Sequence, residues 1–377
     1  MMRKSAYAAL FLTISGFFFV MASCVAAPAT VWPPKSFPIS FWCGPPEPFI
    51  TRQQFQQVAD AGFNVIMPPC DGALSVERNL KILDIAKQTG LTAIIQDPRM
   101  PVSASAQNAN RDIKAVIQTY RRSPALLGYF LTDEPSARDF QNLAGLVDLL
   151  RANDPDHPAY INLLPNYATS DRTEQKSQLG ADSYEKYLDQ YVRIVKPDLL
   201  SWDFYSLLAD GTERPGFYKN LSDMQLAAAT AEPKLPFWQI VLTLKHGGYR
   251  AIEENSLRYE AMQTVAYGAK GLLYFTYWTP GGPDFADSTG IVDREGKPGP
   301  LYDAIKKVNS EVKNLEIWLY PARVLETFQT GQIPPDGTSQ PEGTGLKVSG
   351  KNNLTVSQFR DGNGYVYVLL ANRDFSP

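Results

Sequence analysis

The chain is 377 residues long and 44% hydrophobic, with 36 basic residues against 39 acidic ones. That supplies enough apolar chain for one large core, or for a large core with a small appended domain. A net charge of −3, with no Lys/Arg cluster along any predicted face, excludes the electrostatic footprint of a DNA- or RNA-binding protein.

In chain order the first element is an export signal over residues 1–29. Met1-Met2-Arg3-Lys4 is its basic start, Ala6 to Ala22 its apolar stretch, and Ser23 to Ala29 supplies small residues for cleavage after Ala26, Ala27 or Ala29. Met21-Ala22-Ser23-Cys24 loosely matches a bacterial lipoprotein box, so tethering through Cys24 stays open beside secretion or periplasmic export. No later stretch approaches the roughly 18–20 apolar residues needed to span a bilayer, and no transmembrane segment is expected in the mature chain.

From Phe37 to Tyr320, short β-rich runs alternate with helical patterns, and the count is eight. The predicted strands are Phe37 to Trp42, Phe63 to Met67, Leu91 to Gln96, Leu126 to Thr132, Ala159 to Leu164, Asp198 to Tyr205, Pro236 to Thr243 and Gly271 to Trp278. Each is almost continuously apolar, as parallel strands covered on both faces require. Helical periodicity fills the gaps. It starts near Thr51, Ser75, Asn108, Asp182, Phe217, Asn255 and Leu301, and places Phe140, Leu143, Val147 and Leu150 on one face between Pro135-Ser136 and Asp154-Pro155. Eight strand-helix units in about 285 residues fit a (β/α)8 TIM barrel over residues 37–320. A doubly wound open sheet fits less well, because no Gly-rich phosphate fingerprint follows the first strand.

Residues 321–377 lose the helical period and form a C-terminal β-rich accessory segment. Strands are predicted at Arg323 to Phe328, Leu346 to Val348, Leu354 to Phe359 and Tyr365 to Ala371, with Asp361-Gly362-Asn363-Gly364 as a hairpin turn between the last two. This reads as a small antiparallel β-domain, whole or partial, or as a partial lid on the barrel.

In such barrels chemistry sits at the C-terminal ends of the strands. Those ends carry Trp42 and Cys43, Asp71, Gln96 and Asp97, Asp133 and Glu134, Asn162 followed by Asn166 and Tyr167, Asp203 and Tyr205, Lys245 and His246, and Tyr277 and Trp278. Carboxylates beside exposed aromatic faces suit a sugar, whose hydroxyls seek acceptors and whose C–H face stacks on a ring. The run Leu126-Leu127-Gly128-Tyr129-Phe130-Leu131-Thr132-Asp133-Glu134-Pro135 is the clearest case, an apolar strand that ends in two acids. If Glu134 points into the mouth, strand alternation turns Asp133 aside. A carboxyl partly desolvated beside another carboxylate has its pKa raised, which fits Glu134 to donate a proton to a glycosidic oxygen. The plainer reading is a helix start, where acids and a proline are common.

The ending Asp133-Glu134-Pro135 resembles the Asn-Glu-Pro of clan A glycoside hydrolases. Ala61-Gly62-Phe63-Asn64-Val65-Ile66 and Tyr274-Phe275-Thr276-Tyr277-Trp278 are similar to strands two and eight of that clan. The resemblance implies a catalytic barrel, a general acid/base role for Glu134 and a sugar-stacking role for Trp278. One departure stands out: the clan's nucleophilic Glu closes strand seven, whereas Val241-Leu242-Thr243-Leu244-Lys245-His246 contains no acid.

Asp203, at the end of strand six, is therefore the expected catalytic partner of Glu134, at a spacing compatible with the wider carboxyl separation of an inverting enzyme. Asp97, Asp71, Glu253 and Glu254 are further candidates, each equally readable as a solvated loop acid. Trp42, Asp97, Asp133, Asn162, Tyr205, Lys245 and Trp278 are expected to bind substrate, although Trp42 and Trp278 also fit the top layer of the barrel core. Cys43 and Cys70 close neighbouring strands about 4.8 Å apart and are expected to form a disulfide, stabilising by roughly 3–4 kcal/mol through loop closure. With only His157 and His246, a histidine-rich metal site is not expected; an oxygen-ligated cation stays open, and no cofactor is implied.

The leading expectation is an exported glycoside hydrolase cleaving O-glycosidic bonds of a poly- or oligosaccharide, with carbohydrate as its partner and the oligomeric state open. A non-catalytic carbohydrate-binding TIM-barrel protein is the alternative, suggested by the missing strand-seven acid. A Schiff-base lyase or aldolase using a desolvated Lys245 is a third reading.

Overall fold

The computed structural model describes residues 32–170, 177–343, 345, 346, 348 and 350–375. The expected signal segment, with Cys24, lies outside them. Eight parallel strands follow in order: β1 (Ile39–Phe41), β2 (Val65–Ile66), β3 (Thr92–Ile95), β4 (Leu126–Asp133), β5 (Ala159–Asn162), β6 (Leu200–Asp203), β7 (Phe237–Leu242) and β8 (Gly271–Phe275). They pair as β2-β3-β4-β5 and β1-β8-β7-β6. Two seams close these half-sheets into a barrel. At one, Leu163 bridges Trp202, with the Leu163 N–H donating to the Ser201 carbonyl at 2.7 Å; at the other, the Asn64 N–H reaches the Ile39 carbonyl at 3.0 Å and the Ser40 hydroxyl reaches the Val65 carbonyl at 3.0 Å.

The helices are α1 (Arg52–Asp60), α2 (Val76–Thr89), α3 (Ala109–Tyr120), α4 (Phe140–Asn153), α5 (Tyr184–Gln190), α6 (Phe217–Thr230), α7 (Glu254–Ala266) and α8 (Tyr302–Leu319). Their starts follow local chemistry. Thr51, Ser75 and Ser183 each accept a backbone N–H of the first turn, which satisfies a donor that the helix cannot. At the other end of α2, Gly90 takes the left-handed conformation (φ 73°) that returns the chain to β3.

The barrel interior is filled by rings. Trp32 packs on Trp238 (5.8 Å between centroids), Trp238 on Tyr160 (6.1 Å), Tyr160 on Phe130 (5.9 Å), and Trp42 on both Phe130 (5.6 Å) and Tyr160 (6.4 Å). Gly271 makes room for this column, since a Cβ there would lie 2.5 Å from the Trp238 ring. Trp42 is half-buried at the upper end of the stack, so the column serves as the floor of the mouth.

The C-terminal strands β9 (Arg323–Gln329), β10 (Leu354–Arg360) and β11 (Val366–Asn372) form an antiparallel sheet in the order β11-β10-β9. Asp361 turns the β10–β11 hairpin, its carboxylate accepting the N–H groups of Asn363 and Tyr365 at 2.9 Å. Of the predicted strand Leu346 to Val348, Lys347 lies outside the described residues, and neither Leu346 nor Val348 is in a strand. The sheet packs against the flank of α7. Gln263 on that helix accepts from the Thr355 hydroxyl at 2.5 Å and donates to the Asn372 carbonyl at 3.0 Å. The loop after β9 reaches the start of α6, where Asp336 accepts from the Gly216 N–H at 3.1 Å.

Among the described residues, no helix is long and apolar enough to cross a membrane.

Candidate active site

Strands β4, β5 and β6 bring three acids and one amide together. Asn162, the last residue of β5, donates through Nδ2 to Asp133 Oδ1 at 3.0 Å and to Asp203 Oδ1 at 2.9 Å. The Glu134 N–H donates to the Asn162 carbonyl at 2.8 Å, which sets Glu134 beside the same residue that joins Asp133 to Asp203.

Asp133 is not turned aside. The β4–β5 register shifts between Phe130 and Thr132, and Glu134 adopts a left-handed backbone (φ 45°), so the regular alternation of β4 is broken before it reaches the acids. A left-handed Glu is uncommon and carries strain of order 1 kcal/mol. The effect is that Asp133 and Glu134 both line a half-open cavity of about 700 Å³, whose walls include Gln96, Met100, Thr132 and Asn142. Both acids stay accessible to solvent from this side, whereas Asp203 is buried behind them.

The electrostatics follow from this crowding. Desolvation raises the Glu134 pKa, and the neighbouring Asp133 charge raises it further. Desolvation also raises Asp133, against the opposing bond from Asn162. Asp203 is raised well above the carboxylate range, first by burial and then by the charges of Glu134 and Asp133. The trio therefore retains a proton at a pH where isolated carboxylates would be ionised.

Aromatic residues build the wall on the β5–β8 side. Tyr205, half-buried two residues after Asp203, packs on His246 (6.0 Å), Tyr249 (5.4 Å) and Phe275 (5.5 Å), and its phenol is pushed well up by burial and by the Asp203 charge. His246 Nδ1 lies 2.9 Å from the Leu244 carbonyl, which can only accept, so Nδ1 is the donor of that bond.

The remaining expected residues are placed as follows. Asp97 has no exposed side-chain surface; it pairs with Arg99 at 2.8 Å and accepts the Tyr120 hydroxyl at 2.5 Å, so its carboxylate is already engaged, although the residue borders the cavity. Asp71 is exposed and accepts the Gly281 N–H at 3.3 Å. Glu253 is exposed, and Glu254 pairs with Arg258 (2.8 Å) and Lys307 (2.9 Å) at the start of α7. Trp278 is 3% exposed and packs on Phe49 at 4.7 Å. Lys245 is exposed, which removes the desolvation that a Schiff-base lysine needs. Cys43 and Cys70 are joined in a disulfide that ties the ends of β1 and β2 beside the mouth.

Sequence reasoning missed Arg214, in the loop after β6, and Glu260, buried within α7. Arg214 sits among polar loop residues with no strand end to mark it. Glu260 follows the hydrophobic face of a helix whose both sides are covered, α7 lying between the barrel and the C-terminal sheet.

No protein-family model matches the chain, and no curated protein matches its sequence. Solved structures share the fold at low identity. The β-galactosidase of Bacillus circulans sp. alkalophilus is 12% identical with a TM-score of 0.56, over 77% of this chain and 57% of that one. The β-galactosidase of the psychrophilic Marinomonas ef1 is 13% identical with a TM-score of 0.53, over 74% and 60%. A putative α-L-fucosidase from Bacteroides thetaiotaomicron is 11% identical with a TM-score of 0.50, over 73% and 95%. The chain thus spans less than two thirds of the length of the two galactosidases, and what it shares with all three is the barrel.

Proposed function

We propose that the chain is an exported glycoside hydrolase that cleaves O-glycosidic bonds of a poly- or oligosaccharide by carboxylic acid/base catalysis. Residues 37–320 form its catalytic barrel, and residues 321–377 are an accessory segment. Glu134 is the proton donor and Asp203 the second carboxyl, with Asp133, Asn162, Tyr205 and Trp42 contacting sugar. The observation that carries this reading is the cluster of Asp133, Glu134 and Asp203 at the C-terminal rim of a barrel, where the Asn162 amide joins Asp133 to Asp203 and the Glu134 N–H donates to the Asn162 carbonyl. A proton donor must be protonated at working pH and reachable by substrate, and Glu134 combines a raised pKa with exposure to the cavity. The β-galactosidase and fucosidase barrels support the reading at the level of architecture. The Cys43–Cys70 disulfide is in keeping with export. Membership of clan A is part of the proposal, with strand seven as its departure.

The test is Glu134→Gln. On a substrate identified by screening oligosaccharides and aryl glycosides, the variant is expected to lose about 10²–10⁴ of kcat while keeping its fold and its affinity for the sugar. Turnover within threefold of the parent would overturn the assignment.

A second reading, a carbohydrate-binding barrel without catalysis, is favoured by one observation: neither Phe237–Leu242 nor the Thr243-Leu244 that follows contains an acid. It requires glycan affinity with no sugar released from any substrate in the same screen.

A further inference from the structure

We infer that Arg214 forms an anion subsite in the mouth of the barrel, and that the sugar accepted there carries a carboxylate, as a uronic acid does. The inference rests on the glycoside hydrolase reading, whose substrate class it specifies. Arg214 follows β6 and is half-buried. Its guanidinium lies 4.3 Å from the Tyr167 ring centre and 5.3 Å from that of Tyr249. Nη2 donates to the Tyr249 hydroxyl at 3.2 Å and Nε to the Tyr205 carbonyl at 3.4 Å, while Nη1 has no partner among the described residues.

No carboxylate among the described residues neutralises this cation. Arg99, Arg151 and Arg258 each pair with an acid, at 2.8, 3.2 and 2.9 Å. Arg214 pairs with none among the described residues, and the acid next to it in sequence, Glu213, is engaged by the Tyr259 hydroxyl. Two aromatic faces and two hydrogen bonds hold the fork in place without cancelling its charge.

Its position ties it to the acids. Arg214 holds the carbonyl of Tyr205, two residues beyond Asp203, and Tyr167, over which its guanidinium lies, packs on Phe204 at 5.2 Å. The cation and Asp203 therefore belong to the same stretch of wall at the end of β6. A carboxylate on the sugar would be repelled by the three acids unless a fixed positive charge met it. A planar guanidinium with free N–H groups meets a carboxylate in a bidentate bond that a hydroxyl cannot reproduce.

The experiment compares glucuronic and galacturonic acid with glucose and galactose as ligands, by calorimetry and saturation-transfer NMR, on the intact protein and on Glu134→Gln. The uronic acids are expected to bind about tenfold or more tightly than their neutral counterparts. Arg214→Met is expected to remove the preference, and Arg214→Lys to keep part of it; circular dichroism checks the fold, and the Lys variant decides if the Met variant does not fold. Equal binding of neutral sugars, no binding of either uronic acid, or a preference that survives in folded Arg214→Met overturns the inference. Hydrolysis is scored separately. Uronate preference with no released sugar from any uronide would remove the hydrolase reading and keep the subsite; turnover of neutral glycosides without that preference would do the reverse.

Discussion

Asn162 Nδ2 lies 2.9 Å from Asp203 Oδ1, and this bond makes a buried acid tolerable next to two others. Removing a charge from water costs several kcal/mol unless hydrogen bonds replace it, and Asp203 is 6% exposed with acids as its charged neighbours. The same amide NH₂ also holds Asp133 at 3.0 Å. One short side chain at the end of β5 thus sets the spacing of carboxyls supplied by β4 and β6.

The pH profile should report this coupling. Desolvation, and after it the Asp133 charge, raises the Glu134 pKa, so the protonated donor survives to higher pH than an isolated glutamic acid would. The basic limb of the kcat/KM profile is then expected above the ordinary carboxyl range, with activity falling as pH rises through the raised pKa. Replacing Asp133 by Asn removes a negative neighbour and should move that limb toward acid. A limb that stays in place, or moves toward base, would show that Asp133 does not set the donor's proton affinity.

The barrel was legible in the sequence because parallel strands covered on both faces must be continuously apolar, and Leu126-Leu127-Gly128-Tyr129-Phe130-Leu131 or Gly271-Leu272-Leu273-Tyr274-Phe275 can hardly be anything else. Position along a strand was legible too, so Glu134, Asn162 and Asp203 could be nominated together. Orientation was not, because it depends on the register shift at Phe130/Thr132 and on the left-handed Glu134, neither of which leaves a mark in residue type. Asp97 shows a different limit. Its neutralising partner Arg99 is two residues away, but the Tyr120 hydroxyl that completes its shell comes from the far end of α3. Contacts of that length are tertiary information. Arg214 was missed for the converse reason: that a cation has no acid partner among the described residues is visible only in the folded chain.

Stability should depend on pH through Glu260, which is fully buried on α7. One carboxyl oxygen accepts from the Ser206 hydroxyl at 2.6 Å and from the Ser206 N–H at 3.3 Å, and the other has no partner among the described residues. Burial pushes its pKa up from 4.5 to about 7. Since the folded pKa exceeds the unfolded one, the folded state binds the proton more tightly, and its stabilising contribution is fully present below about 4.5 and lost as pH rises through about 7. Glu260→Gln keeps an acceptor for Ser206 and carries no charge. It should be the more stable protein above neutrality, by an order of roughly 3 kcal/mol, with the difference vanishing toward pH 4. Denaturant titrations across that range give the comparison, and a constant difference between the two proteins would mean that Glu260 ionises normally.

The Cys43–Cys70 bond makes a prediction that separates folding from catalysis. It closes a loop of 27 residues that contains α1 and β2, and it joins the chain where β1 and β2 reach the mouth. Backbone contacts already hold this corner: the Gly44 N–H donates to the Pro68 carbonyl at 3.0 Å, and the Trp278 N–H donates to the Cys43 carbonyl at 3.0 Å. These bonds need no sulfur, so the folded geometry of the rim should survive its loss while the unfolded chain gains freedom. Cys43→Ser combined with Cys70→Ser is accordingly expected to lower unfolding free energy by about 2–4 kcal/mol, measured in urea, with substrate affinity at temperatures where the protein is folded changed less than twofold. If affinity collapses while stability is kept, the disulfide shapes the sugar site itself, and the corner is not held by its backbone bonds as argued.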